Sequence, residues 1–378
     1  MLLGIMQRKK NNRRGKPVPH QRGAGWNRRF TAAAYVLAAV LAVGLLAALY
    51  LKMGNRQERY EATFFGSFDT VTVVTGYART QEIFEEQAGK LEQKLREYHE
   101  LFDIYHTYEG TSNIKAINDA AGEEPVKVSQ DIINMLKMGI DMYHKTEGKV
   151  NIAYGSVLSL WHEYREEGMA DPGRAKLPPD TLIQERMEHT DISKIVIDEE
   201  ASTVFLEDKD MSLDVGSIGK GYAVQQLSSY AKEQGMGHLL LSVGGNVCAV
   251  GGKLDGTPWQ VGIENPQLES QKPYVGTVGL SGKSIVTSGD YQRYYTVGGK
   301  RYCHIIHPDT GMPSGYFPSV SVLAEDSGMA DALSTALFNM ELEEGLALVE
   351  AWPEVEALWI LEDGGIRCSS GFKFHEEK

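Results

Sequence analysis

The chain has 378 residues, a net charge of −13, 42% hydrophobic and 24% charged residues; it describes a globular protein long enough for one large or two ordinary domains. The charge is unevenly spread: residues 1–29 hold nine Lys/Arg and no acid, so the other 349 carry 29 basic against 51 acidic side chains. Such an acidic body argues against nucleic acid as the main partner, since phosphate backbones need a basic face, and Cys248, Cys303 and Cys368 make no disulfide framework.

Residues 1–29 read as a basic tail interrupted by Gly and Pro. Phe30 to Leu51 is a run of 22 residues without a charge, which at about 1.5 Å per residue spans a hydrocarbon core of about 30 Å. The basic residues precede it, so the positive-inside rule puts the N-terminus in the cytoplasm and the rest of the chain outside. A buried core helix is disfavoured because a water-facing side is missing. A cleaved signal peptide is the stronger rival, but the run is long for one and no clear Ala-x-Ala site follows. The expected organisation is a cytoplasmic tail over 1–29, a transmembrane anchor over 30–51, a charged linker over 52–61 and one domain over 62–378, held at the cell membrane by a single pass with the domain extracytoplasmic.

Phe64 to Tyr77 reads as a strand with an irregularity at Gly66-Ser67. Ile83, Phe84, Leu91, Leu95 and Phe102 give helical spacing from Thr80 to about Tyr105. Ser129 is placed to cap a helix that runs to about Thr146 and stops at Gly148. Residues 149–161 pass from an extended piece into an apolar segment, and 162–180, with Pro172, Gly173, Pro178 and Pro179, read as an exposed loop. From Ile192 the pattern is strand-rich, with a strand ending at Asp214, a helix from about Ser217 to Glu233, and a later helix from about Gly328 to Met340. Clustered strands with helices between them predict an α+β fold rather than a doubly wound sheet.

Four segments carry chemistry. Thr287 to Pro313 alternates around Tyr294, Tyr295 and Val297, turns at Gly298-Gly299, and alternates again over Tyr302 to Ile306, which predicts a hairpin with His304 inside a strand. Alone, that histidine reads as a satisfied core residue; Cys303-His304-x-x-His307 resembles a zinc pair only superficially, since no second cysteine pair is near. Leu213 to Tyr222, LDVGSIGKGY, joins a strand end to a helix start whose free N–H groups suit phosphate; glycines for tight packing are the plainer reading. Ser242 to Asn246, SVGGN, is an ordinary hairpin turn or a place where backbone approaches a flat ligand. Asp331 and Thr335 are four apart on one helix face and offer oxygens of the kind Mg²⁺ takes, or else Asp331 simply stabilises a helix N-terminus.

Together and in this order, LDVGSIGKGYAV, SVGGN, SGDYQRYY, HIIHPDTG and ADALSTAL resemble the ApbE family of FAD:protein FMN transferases, from about Phe64 to the C-terminal region. The resemblance implies an ApbE-like, T-fold-like arrangement of mixed sheets with packed helices. It implies transfer of FMN from FAD to a Thr or Ser hydroxyl of a partner protein, a membrane redox subunit, with release of AMP and with Mg²⁺ as cofactor. It implies His304 as the catalytic residue and Ser217, Asp331 and Thr335 as metal ligands. Phe65, Tyr105, Lys149, Val150, Asn151, Asp214, Lys220 and Ile306 would contact FAD. Three positions depart from the family pattern: Asn151 stands where Asp is common, His307 replaces the usual Asp of the turn after His304, and Gly66-Ser67 replaces Gly-Thr. An FAD pyrophosphatase using water as acceptor, and a tethered flavin-binding protein without turnover, are the alternative functions.

Overall fold

The computed structural model describes residues 33–45 and 56–376. Residues 33–45 form an exposed helix, α1. The rest of the expected anchor, at 30–32 and 46–51, and the basic tail over 1–29 lie outside the described residues. Among those described, no helix is long and apolar enough to cross a membrane.

From Gln57 the chain folds as a unit of its own. It opens with β1 (Glu58–Ser67), β2 (Thr70–Ala78), α2 (Gln81–Phe102), α3 (Ile114–Asp119), β3 (Val126–Lys127), α4 (Gln130–Lys145), α5 (Gly155–Ala170) and α6 (Asp180–Met187). There follow β4 (Ile195–Asp198), β5 (Thr203–Leu206), α7 (Gly219–Glu233), β6 (Leu239–Val243), β7 (Asn246–Val250), β8 (Trp259–Glu264), β9 (Tyr274–Leu280), β10 (Ser284–Gly289), β11 (Tyr294–Val297) and β12 (Lys300–Cys303). The last elements are β13 (Ser319–Ala324), α8 (Ser327–Phe338), α9 (Leu342–Glu350), β14 (Glu356–Ile360), β15 (Ile366–Cys368) and β16 (Phe374–Glu376).

Eight strands form the main sheet in the order β1-β2-β6-β7-β10-β13-β14-β15. On one face, Phe84 and Leu91 of α2, Leu227 of α7 and Leu333 and Leu337 of α8 share a core with Val74, Leu241 and Val322 of the sheet. On the other, Trp259, Val278 and Leu280 of the small sheet β16-β9-β8 pack on Ile285, Leu323 and Leu358. With both faces covered, β13 is buried along its whole length. A third cluster of Tyr154, Trp161, Ile183, Tyr295 and Ile306 ties α5 and α6 to the hairpin β11–β12. The mixed α+β class is as expected, and the hairpin forms on Gly298 and Gly299, with φ of 59° and 82°, a turn that matches strand twist; but β12 is Lys300–Cys303, so His304 lies just past the strand rather than inside it.

Several elements differ from the sequence reading, each for a local reason. Residues 64–77 are two strands of a hairpin, not one strand. Phe68 and Asp69 adopt positive φ of 54° and 53° without the Gly or Asn that signals such a turn, and β1 begins at Glu58, inside the expected linker. Helix α5 continues to Ala170 through residues read as loop: Val157, Leu160 and Trp161 anchor its first half in the core, and its later residues are mostly polar, which hid the helix in the sequence. No strand ends at Asp214. That segment is pinned by bonds from α3 and from the turn before α5: Leu213 N–H donates to Asn118 Oδ1 (2.7 Å), Asn118 Nδ2 donates to the Leu213 carbonyl (3.0 Å), and Asp214 N–H donates to the Ile152 carbonyl (2.9 Å).

Candidate active site

His304 follows β12 by one residue. Its main-chain N–H donates to the Arg293 carbonyl at 3.0 Å, and its Nδ1 lies 3.2 Å from the same oxygen. A carbonyl only accepts, so Nδ1 carries the proton and Nε2 keeps a free lone pair. The ring is partly open to the cavity yet lies deep in the protein. Burial, then the Arg293 guanidinium, lower its pKa to about 4. It is therefore a neutral imidazole at pH 7, with its basic nitrogen available.

The turn beyond it is held from three sides. Tyr154 Oη donates to the Pro308 carbonyl (3.0 Å), Trp161 Nε1 to the Gly311 carbonyl (2.8 Å), and Lys149 Nζ pairs with Asp309 Oδ2 (2.8 Å). Ile306 is thereby fixed, with its carbonyl 3.4 Å from Asn339 Nδ2. His307, in place of the family's Asp, is buried and accepts the Asp309 N–H at 3.2 Å on Nδ1. Lys149, Val150 and Asn151 form the neighbouring wall. Asn151 uses both ends of its amide: Nδ2 donates to the Thr190 carbonyl (2.9 Å) and Oδ1 accepts from Ala153 N–H (2.9 Å). A carboxylate has no donor for Thr190, so the departure from Asp has a structural reason.

Opposite stand the start of α7 and the face of α8. Gly221 N–H donates to Asp331 Oδ2 at 2.7 Å, and a Cβ at Gly221 would lie 2.4 Å from the Asp331 Cβ; a glycine is required for so close a crossing. Burial raises the pKa of Asp331, opposed by the charge of Lys220 and by the Gly221 N–H. Asn246, wholly buried beside this carboxyl, lacks a hydrogen-bond partner at either amide atom among the described residues. Asp214 is likewise pushed up by burial and held by Gly216 N–H at 2.8 Å. Ser217, Asp331 and Thr335 offer one carboxylate with hydroxyl and carbonyl oxygens, and no nitrogen or sulfur. That donor set fits Mg²⁺.

Tyr105 projects from the loop after α2, 53% exposed, its ring 5.3 Å from that of His162. Asp103 builds the loop. Its carboxylate accepts from Tyr105 N–H (2.6 Å), His106 N–H (3.1 Å) and Tyr108 Oη (2.7 Å).

A cavity of about 1180 Å³ collects these groups. His304, the three metal candidates and every flavin candidate except Phe65 line it. Phe65 lies outside, 73% exposed on β1, and Phe68 from the unforeseen turn lines the wall instead. Gly244 of SVGGN also lines it, as part of a β6–β7 hairpin whose tip touches the β1–β2 tip: a Cβ there would fall 2.2 Å from Thr70 Oγ1. Arg165, Arg293 and Asp103 are cavity residues that the sequence did not single out. Arg293 lay within SGDYQRYY, and its place opposite His304 follows from the hairpin register.

Residues 65–359 match the model of the ApbE family. The FAD:protein FMN transferase of Klebsiella pneumoniae (strain 342) is 29% identical over 317 residues, covering 84% of this chain and 93% of that protein. The FAD:protein FMN transferase of Vibrio cholerae is 31% identical over 279 residues, covering 72% and 80%. Among solved structures, the ApbE protein of Thermotoga maritima matches with a TM-score of 0.72 at 27% identity, over 83% of this chain and 97% of that one.

Proposed function

The chain belongs to the ApbE family, and from that premise we propose that it is an FAD:protein FMN transferase: it moves FMN from FAD onto a Thr or Ser hydroxyl of an acceptor protein and releases AMP. The observation that carries the reading is a neutral His304 with a free Nε2 in the same cavity as the buried Asp331 and the half-buried Ser217 and Thr335.

A Thr or Ser hydroxyl is a weak nucleophile at neutral pH. His304 Nε2 takes its proton as the oxygen forms a bond to the FMN phosphorus. The bond from that phosphorus to the AMP oxygen breaks, and AMP leaves with the electron pair. Lys220 directs positive field at the diphosphate. Tyr105 offers a ring face for the isoalloxazine, while Lys149, Val150 and Ile306 shape the wall beside it. Asp331, Ser217 and Thr335 would hold Mg²⁺, whose chemistry is neutralisation of charge on the transferring and leaving oxygens.

We further propose that the chain is anchored through residues 30–51, with its domain outside the cell membrane and a membrane redox subunit as acceptor. The charge-free run and the nine basic residues before it support that topology. Incubation with FAD, Mg²⁺ and an acceptor domain tests the activity. A fluorescent acceptor band that survives a denaturing gel is the expected result; free FMN and AMP with no labelled acceptor would make the protein a pyrophosphatase.

A further inference from the structure

Arg293 stands directly across the hairpin from His304. Strands β11 and β12 pair Tyr295 with Tyr302 and Tyr294 with Cys303, so the next rung sets Arg293 against His304. Residues on one rung put their side chains on the same face, with Cβ atoms about 5 Å apart. The guanidinium lines the same cavity, and its charge reaches both His304 and Asp214. Of the other cavity cations, Lys149 pairs with Asp309, Arg165 pairs with Glu166 and lies 2.8 Å from His162 Nδ1, and Lys220 acts on Asp331 from the opposite wall. Arg293 forms no ion pair among the described residues, and it is exposed. A five-donor fork is thus left without an anion, at the point where the proposed base works.

The position of that base locates the phosphorus. A hydroxyl that gives its proton to Nε2 lies about 3 Å from it, and attacks a phosphorus about 3 Å further on. That distance is within reach of the neighbouring guanidinium, whose planar fork suits two phosphate oxygens. Resting on the transferase reading, we propose that Arg293 binds the diphosphate of FAD, its N–H groups on the non-bridging oxygens beside the phosphorus under attack.

The test uses the full-length chain with Arg293→Gln and Arg293→Lys, titrated calorimetrically at fixed Mg²⁺ with ADP, which carries the diphosphate, and with riboflavin, which carries no phosphate. Loss of a charge-assisted contact is expected to weaken ADP binding by about tenfold or more in the Gln variant, with the Lys variant between it and wild type and riboflavin affinity unchanged. ADP affinity equal to wild type in Arg293→Gln would overturn the proposal and leave the guanidinium for a group on the acceptor. Equal weakening of ADP and riboflavin would overturn it in favour of a role in hairpin shape. A wild-type protein that binds none of FAD, ADP and riboflavin would instead refute the transferase reading itself.

Discussion

Gly221→Ala is the sharpest test of how the proposed metal-binding face is built. Its added methyl would lie 2.4 Å from the Asp331 Cβ, 2.4 Å from the Ser327 carbonyl oxygen and 3.0 Å from Asp331 Oδ2. Carbon atoms pack at about 3.5–4.0 Å, so α7 must withdraw from α8 by about 1 Å. Neither of the two nearest atoms sits at the end of a flexible side chain, and a rotamer change cannot relieve the clash. The withdrawal also opens the 2.7 Å bond that orients Asp331. Overpacking costs about 1–3 kcal/mol, and a lost bond to a charged group about 1.5–3 kcal/mol, against which alanine's helix propensity returns about 1 kcal/mol. The expected net loss is about 1.5–5 kcal/mol, read as a lower urea midpoint at unchanged slope. The Mg²⁺ concentration for half-maximal turnover should rise with it. A midpoint within about 0.5 kcal/mol of wild type, with unchanged Mg²⁺ titration, would refute the close-crossing argument.

Four further outcomes follow from the geometry. The pKa of His304 lies at about 4 against 6.5 for a free histidine. The acid limb of kcat/KM should therefore fall near pH 4; a limb near 6.5 would show that the base is another group or is not buried. The same shift means that the unfolded chain binds the proton more tightly. The stability contribution is full above 6.5 and lost as pH falls toward 4, so His304→Ala should flatten the stability profile over that window in denaturant titrations. Asn151→Asp keeps the bond from Ala153 N–H but loses the donor to Thr190 and sets a carboxylate against its carbonyl; thermal or urea unfolding should show a loss of about 1–3 kcal/mol, and no change would mean that this clasp is idle. Tyr105→Ala removes the exposed ring at the cavity and should weaken FAD binding by about tenfold, as stacking is worth about 1–3 kcal/mol; a fluorescence titration equal to wild type would place the flavin elsewhere.

The parts of the site that were legible in the sequence are those set by local pattern. Gly298-Gly299 between two alternating runs fixes the hairpin that carries His304, and the spacing of Asp331 and Thr335 fixes their common helix face. Features set by positive φ in ordinary residues were hidden. Phe68 and Asp69 make a tight turn with no glycine, so the hairpin read as one strand and Phe65 was assigned to the wall that Phe68 occupies. Contacts between remote segments were hidden for another reason. The Asn118–Leu213 clasp joins residues 95 apart in sequence, and it holds the Asp214 segment without any strand pattern. The requirement for Gly221 likewise depends on where α8 lies, which neither helix reveals alone.

The claim that His304 is the base of the transfer is most directly tested by pairing FAD affinity with acceptor labelling in wild type and His304→Ala, the product identified by intact-protein mass spectrometry. Wild type should add one FMN to the acceptor for each AMP released, while the variant binds FAD with near-normal affinity and leaves the acceptor unlabelled. A variant that labels the acceptor at the wild-type rate, or that loses FAD binding in the same proportion as transfer, would contradict it.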